Sequence, residues 1–221
     1  MRVGLGTGST VHWTLKALAE RVAAGLRVSG VATSRATERL AGELGIPLGS
    51  IDDPAGLDLG IDGADEVSRD LDLVKGGGGA LLREKLVALR CQRRAIVVDR
   101  SKLVDRLGAR GVPVEVVAFG WRSTAVRIAQ AGGVPRLRLE GGQPFVTDEG
   151  HHILDCAFGP IHDPGALGAR LKGLPGVVET GLFVGLADLV LVGDGRGVET
   201  LRTSRITGPD QPDGGRRHGN G

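Results

Sequence analysis

Two short glycine-containing segments carry the residue types that proton-transfer chemistry needs. The first is Ile61-Asp62-Gly63-Ala64-Asp65-Glu66. The second starts at Lys75, continues through four glycines and enters a stretch that contains Glu84. A carboxylate can accept a proton, and an ammonium group can stabilise the negative charge that forms nearby. Three acids and one lysine around two glycine turns therefore indicate proton transfer on a small anionic substrate.

Each of these features also has a purely structural interpretation. Asp62 and Asp65 flank Gly63-Ala64, so a tight turn could direct both carboxylates into one cleft, but aspartates near glycine also cap Asx turns. Glu84 alone is typical of an exposed acid on a helix surface. The glycine run at 76–79 is harder to explain structurally, because four consecutive glycines cost much chain entropy. Close approach of backbone to a ligand explains it better.

A further glycine turn, Gly6-Thr7-Gly8-Ser9-Thr10, lies between a short apolar run and a helical pattern. Backbone N–H groups and hydroxyls at a helix N-terminus suit a phosphate, although a simple capped turn has the same composition. It is not a P-loop, because no lysine follows. It is not a dinucleotide fingerprint either, because the third glycine is missing and Thr33-Ser34 occupies the place of the ribose-binding acid.

Lysine is scarce, with five lysines among 28 basic residues. Lys75 and Lys102 lie beside glycine or acidic turns at predicted strand ends. A compact ammonium fits where a planar guanidinium would not, so both are candidate site residues.

The first half of the chain alternates between strand and helix patterns. Such alternation predicts a parallel α/β sheet, Rossmann-like, with helices on both faces. The predicted strands cover 2–5, 28–32, 57–62 and 95–98, and the predicted helices cover 11–22, 34–44 and 80–89. Because ligands bind beyond the carboxyl ends of parallel strands, the candidate residues should meet at one edge of this sheet.

The pattern changes after Gly111 to β-α-β-β-α-β, the order of a ferredoxin-like α+β domain. We assign strands to 112–117, 136–139, 145–147, 151–156 and 177–182, and helices to 121–131 and 164–171. A strand at 189–192 returns to the first sheet. We therefore expect a catalytic domain at 1–111 and 185–201, an inserted domain at 112–184 and a disordered tail at 202–221.

Composition excludes several classes of partner. A formal charge of +2 and 3% aromatic residues argue against nucleic acid. No apolar run is long enough for a membrane span and no leader precedes the first motif, so we expect a cytoplasmic protein without membrane contact. Cys91 and Cys156 are isolated and should be small buried side chains in a reducing compartment.

A metal hydrolase is an alternative with weak support in the sequence. Its ligands would have to come from His151, His152, Asp155 and His162. These residues lie in the predicted second domain, away from the acids, and neighbouring histidines on a strand face opposite sides. We therefore expect no metal site.

Several motifs resemble, in order and spacing, ribose-5-phosphate isomerase of the A type over roughly residues 3–201. They are Gly4-Leu5-Gly6-Thr7-Gly8-Ser9-Thr10, Asp62-Gly63-Ala64-Asp65, Lys75-Gly76-Gly77-Gly78, Leu82-Arg83-Glu84-Lys85, Asp99-Arg100-Ser101-Lys102, Pro113-Val114-Glu115-Val116 and Gly176-Val177-Val178-Glu179-Thr180-Gly181-Leu182-Phe183. Ordered motifs together are far more specific than any one of them.

The resemblance implies an aldose-ketose isomerase that interconverts ribose 5-phosphate and ribulose 5-phosphate through an enediolate, in the non-oxidative pentose phosphate pathway and without a cofactor. It implies that Glu84 is the base, while Asp62, Asp65 and Lys75 assist ring opening and hold the sugar oxygens. The substrate-binding residues implied are Thr7, Gly8, Ser9, Thr10, Asp62, Gly63, Ala64, Asp65, Lys75, Gly76, Gly77, Gly78 and Lys102. Nearby like charges should raise the pKa of the base.

The same fold also serves sugar-phosphate sensors, so a non-catalytic sensor domain remains the alternative. A sensor has no need of Glu84, which favours the enzyme. The resemblance also implies a homodimer or homotetramer.

Family members carry a helix of roughly twenty residues before the first strand, and this sequence has only Met1-Arg2 there. Without that helix, apolar surface would stay exposed at a cost of about 25 cal/mol per Å². We therefore expect either a start codon further upstream or a protein of low stability and weak activity.

Overall fold

The computed structural model describes residues 1–202. The elements in chain order are β1 (Arg2–Leu5), α1 (Ser9–Ala23), β2 (Ser29–Ala32), α2 (Arg35–Glu43), β3 (Leu57–Asp62), β4 (Glu66–Val67), β5 (Leu73–Val74), α3 (Leu81–Arg90), β6 (Cys91–Asp99), a 3-10 turn (Arg100–Lys102), β7 (Val112–Val116), α4 (Trp121–Gln130), β8 (Val134–Leu137), β9 (Leu139–Glu140), β10 (Gln143–Pro144), β11 (His152–Ala157), α5 (Pro164–Lys172), β12 (Val177–Thr180), β13 (Leu182–Phe183), β14 (Leu189–Gly193) and β15 (Val198–Arg202).

The largest sheet has six strands in the order β15-β14-β6-β3-β1-β2. All neighbours run parallel except β15, which is antiparallel to β14. The carboxyl ends of β1, β3 and β6 therefore lie at one edge. Thr7 comes shortly after β1, Asp62 is the last residue of β3, and Lys102 comes shortly after β6. This is the edge at which open α/β sheets bind ligands.

Side chains alternate along each strand, so apolar residues point to both faces of this sheet. Helices cover both faces. Val3 and Leu5 of β1 pack with Val11 and Leu15 of α1 in one buried cluster. The other face of β1 lies against α3, since a Cβ at Gly4 would lie 2.5 Å from Val87 Cγ1. The predicted Rossmann-like architecture is confirmed.

A second sheet has the order β12-β7-β11-β8, with every pair antiparallel. Helices α4 and α5 cover one of its faces, where Ile128 and Leu171 join the buried side chains of β7 and β11. In order along the chain, these strands and helices form the ferredoxin-like unit. The inserted α+β fold is thus confirmed.

The boundaries at 112 and 184 stay a prediction. Val74 and Leu107, from outside that range, belong to the same buried cluster as the second sheet. Strand β13 lies inside the range but pairs with β5, in a small sheet of order β13-β5-β4.

Some sequence-based element assignments were wrong. The predicted strand at 145–147 is a loop, and the strand before it ends at Pro144. The predicted strand at 177–182 divides at Gly181, whose N–H donates to Pro113 O and whose carbonyl accepts from Lys75 N. Strand β15 ends at Arg202, and the predicted tail beyond it lies outside the described residues.

Over residues 1–202, no helix combines the length and the apolar character that crossing a membrane requires. Cys91 and Cys156 are both buried and free, as expected.

We expect Gly181→Ala to lower the free energy of unfolding by about 1–3 kcal/mol, as overpacking does. A Cβ there would lie 2.2 Å from Lys75 O and 2.9 Å from Pro113 Cδ, so two backbone segments would have to move. Gly42→Ala, at an exposed position of α2, is the matched control because no atom lies within 4 Å of its Cβ. It should raise the free energy of unfolding by about 0.5–1 kcal/mol. Urea denaturation measures both, and equal stabilities would contradict the close approach at Gly181.

Candidate active site

One buried ammonium joins three parts of the first domain. Lys75, just after β5, places Nζ 3.1 Å from Asp62 Oδ2 at the end of β3 and 3.3 Å from Glu84 Oε1 in the first turn of α3. The same Nζ donates to Gly63 O at 2.5 Å. These partners account for the three donors of the ammonium, so Lys75 ties both carboxylates to one point.

Glu84 is not an exposed acid on a helix surface, which was its purely structural interpretation. Its side chain is 5% exposed, and that of Lys75 is 4% exposed. Burial raises the pKa of Glu84 to about 8, although the Lys75 ammonium acts to lower it and the Asp62 carboxylate adds to the rise. The raised pKa was expected, but its main cause is loss of water and not the neighbouring negative charges.

The pKa of Lys75 is shifted in the opposite sense to that of an isolated buried lysine. Burial acts to lower the pKa, but the carboxylates of Asp62 and Glu84 outweigh burial and hold it above the ordinary lysine value. Lys75 therefore stays charged throughout the range in which Glu84 titrates.

The two carboxylate oxygens of Glu84 differ. Oε1 contacts Lys75, whereas Oε2 is buried and has no hydrogen-bond partner within residues 1–202. Buried polar atoms are normally paired, so such an atom needs an explanation. Glu84 also lines the cleft, so its carboxylate can accept a proton from a molecule bound there.

Asp62 organises the strand ends around it. Its Oδ1 accepts hydrogen bonds from Thr7 N at 3.2 Å and from Gly63 N at 2.8 Å. A Cβ at Gly6 would lie 2.1 Å from the same oxygen, which explains the glycine there. Asp62 thus lies beneath the cleft and joins the loops after β1 and β3.

The glycine turn at 76–79 lies against Asp65. Gly77 N donates to Asp65 Oδ2 at 2.7 Å, and Gly79 N donates to Gly76 O at 3.0 Å. Gly76 and Gly79 have φ of 105° and 81°, a region that L side chains rarely adopt. The turn therefore requires glycine at these two positions.

Helix α1 begins at this same edge with Gly8, at φ 119°, as its N-cap. The first N–H groups of a helix lack partners within it, so Ser9 and Thr10 offer backbone donors as well as hydroxyls. Thr7 is engaged differently. Its hydroxyl lies 2.8 Å from Thr33 Oγ1 and 2.9 Å from Ser34 Oγ.

All the candidate residues except Asp62 line one cleft. The cleft is lined by Thr7, Gly8, Ser9, Thr10, Gly63, Ala64, Asp65, Lys75, Gly76, Gly77, Gly78, Glu84 and Lys102. Asp62 lines an adjoining space beneath it, together with Thr33 and Phe183. Lys102 reaches the cleft from the 3-10 turn after β6.

Sequence reasoning missed two contributors. Phe183 places its ring centroid 5.6 Å from Lys75 Nζ and 4.7 Å from Lys85 Nζ. Arg138, from the second sheet, donates to the carbonyls of Gly76 and Gly77. Phe183 falls in a motif that carried the family resemblance, but no local pattern distinguishes Arg138 in a chain whose usual cation is arginine.

The histidines considered as metal ligands have other partners. His151 Nδ1 lies 2.9 Å from Glu115 Oε1, and His152 Nδ1 lies 3.2 Å from Phe145 O. Within residues 1–202, no group of three His, Cys, Asp or Glu side chains could hold a metal ion.

Residues 29–197 match the family model described as Ribose 5-phosphate isomerase A (phosphoriboisomerase A). The Ribose-5-phosphate isomerase A of Gloeobacter violaceus is 53% identical over 206 residues, covering 92% of this chain and 90% of that protein.

Two solved structures share the fold. A D-ribose-5-phosphate isomerase in complex with phospho-erythronic acid has a TM-score of 0.89 at 38% identity, covering 91% of this chain and 90% of its own. Ribose 5-phosphate isomerase A from Methanocaldococcus jannaschii has a TM-score of 0.87 at 39% identity, covering 91% of each chain.

Proposed function

Because the chain belongs to the ribose 5-phosphate isomerase A family, we propose that it interconverts ribose 5-phosphate and ribulose 5-phosphate, with Glu84 as the base. The observation that carries this assignment is the buried Glu84 carboxyl, which contacts Lys75 through one oxygen and leaves the other free.

Glu84 moves the proton. In the open-chain aldose, the Glu84 carboxylate removes the proton from C2, the C–H electrons form the C1=C2 bond and the aldehyde oxygen becomes the enediolate oxygen. The same carboxyl then returns the proton to C1, while the hydroxyl proton on O2 passes to O1. A pKa of about 8 makes the carboxylate basic enough for this task while leaving part of it ionised near neutral pH.

Lys75 controls the charge around this step. Its ammonium stabilises the Glu84 carboxylate before the reaction, against the cost of burial. When Glu84 takes up the proton, the negative charge moves to the substrate, and a donor of Lys75 becomes free to follow it. The positive charge that stabilises an enediolate is thus supplied without a metal.

Asp65 and the N-terminus of α1 hold the two ends of the substrate. Asp65 lines the cleft beside the glycine turn, where it can accept hydrogen bonds from sugar hydroxyls and assist ring opening. Asp62 supports this from beneath by fixing Lys75 and the loop at Thr7. The phosphate lies at Ser9 and Thr10, with Lys102 supplying positive charge.

The sensor alternative is less well supported. A sensor needs the phosphate site but gains nothing from a buried carboxylate whose second oxygen has no partner among residues 1–202, since that arrangement costs stability. An isomerase, by contrast, uses such a carboxylate as its base, so the isomerase function explains why the arrangement is present.

We also propose a homodimer or homotetramer in the cytoplasm, on the basis of the family resemblance. Light scattering of the purified chain measures its subunit number.

We expect Glu84→Gln to reduce kcat for ribose 5-phosphate by on the order of 10²-fold or more, because the amide keeps the shape and loses the proton acceptor. Substrate affinity, measured by calorimetry, should change little. The wild-type rate in a coupled assay should be the same with and without chelator. Near wild-type turnover of the variant would assign the base to another residue, with Asp62 the first to test.

We expect Lys75→Arg to lower kcat severely. The buried Nζ lies within about 3.3 Å of three oxygens, and a planar guanidinium cannot occupy that space without moving the glycine turn. Lys102→Ala is the comparison, because a half-buried cation that binds the phosphate should chiefly affect KM. If steady-state kinetics show both variants unchanged, neither lysine belongs to the site.

A further inference from the structure

Arg138 reaches from the second domain to the glycine turn of the first. Its Nη1 donates to Gly76 O at 2.8 Å and to Gly77 O at 3.1 Å. The rest of the guanidinium forms a two-point contact with Asp155, at 3.0 Å from Nε and 2.5 Å from Nη2. The Arg138 side chain is 15% exposed, whereas that of Asp155 is 42% exposed.

The backbone of Arg138 is itself fixed. Its N–H donates to Ile153 O and its carbonyl accepts from Phe145 N, both at 2.9 Å. Phe145 in turn lies on the turn, because a Cβ at Gly79 would be 2.3 Å from its Cζ. The turn is therefore held from the side of the second domain by a charged group and by a ring.

These contacts determine which way the peptide groups of the turn point. No peptide bond in the described chain is cis, and in a trans peptide the N–H points away from the C=O. With Gly76 O bound to Arg138, Gly77 N points to Asp65. With Gly77 O bound to Arg138, Gly78 N points away from Arg138, and no group within residues 1–202 accepts its hydrogen bond.

Gly78 is exposed and lines the same cleft as Glu84. We propose that Arg138 is a positioning residue that orients the Gly77–Gly78 peptide so that Gly78 N–H donates to the sugar oxygen on which negative charge develops. This inference rests on the proposed isomerase function. The donor is prearranged, so it needs no reorientation when the enediolate forms.

Lysine could not replace arginine in this role. One ammonium has no planar fork to hold Asp155 at two points while reaching two successive carbonyls. Arg138→Lys therefore keeps the charge and removes the geometry. Arg170→Lys, on an exposed position of α5, is the matched control.

We expect Arg138→Lys to lower kcat by about 10-fold or more, since loss of a whole oxyanion donor costs about 10²–10³-fold. KM should change far less. The Kd of phospho-erythronic acid, whose planar carboxylate resembles the enediolate, should weaken by a factor similar to the loss in kcat. The Kd of inorganic phosphate and the kinetics of Arg170→Lys should stay at wild-type values.

A merely structural role gives a different result. Melting temperatures would fall, while kcat per folded molecule and the affinity for phospho-erythronic acid would stay within twofold of wild type, and this would overturn the inference. Asp155→Asn keeps the Arg138 guanidinium but removes the charge that holds it. It should lower kcat and weaken phospho-erythronic acid binding as Arg138→Lys does, by a smaller factor. A wild-type chain that does not convert ribose 5-phosphate would overturn the proposed function, whereas an active wild type with an equally active Arg138→Lys overturns only the role of Arg138.

Discussion

The buried contact between Lys75, Asp62 and Glu84 is the constraint on which the rest of the site depends. One ammonium faces two carboxylates in a space almost without water, so the group would carry an excess negative charge if both were ionised. Backbone N–H groups of Thr7 and Gly63 stabilise the Asp62 carboxylate, while Glu84 Oε2 has no such partner in the described chain. Burial therefore raises the pKa of Glu84 to about 8, which makes its carboxylate a stronger base than an ordinary glutamate.

Each member of this group needs support, because removing one partner of a buried ion pair costs about 3–5 kcal/mol. Both domains contribute to its support. Lys75 N is bound by Gly181 O, and Lys85, which follows Glu84 on α3, donates to Glu179, Thr180 O and Leu182 O. Residues 179–182 thus fix the segment that carries the ammonium, and Arg138 fixes the turn that follows it.

Much of this could be predicted from sequence, because it depends on local patterns. The alternation of strands and helices predicted the parallel sheet, and a parallel sheet brings the ends of β1, β3 and β6 together whatever the details of packing. The extension of β3 to Asp62 also followed from local chemistry. The cleft residues were found for the same reason.

The remainder depends on contacts between residues far apart in the chain. Arg138 lies 62 positions from Gly76, and nothing beside it in the sequence indicates a partner. The division of the strand at 177–182 follows from close contacts of Gly181 with Lys75 and Pro113, which no periodicity contains. The cause of the raised Glu84 pKa was likewise hidden, since the degree of burial is a property of the assembled core.

The most direct test of the account is the ionisation of Glu84 itself. The 13C signal of the side-chain carboxyl in protein labelled at glutamate Cδ, followed from pH 4 to pH 10 and assigned by its loss in Glu84→Gln, measures this value. A single carboxyl that titrates near pH 8, well above the other glutamates, is the result that the burial of Glu84 predicts. A Glu84 signal that ionises near the ordinary glutamate value of about 4.3 would contradict it, and Glu84 would then lack the basicity assigned to it.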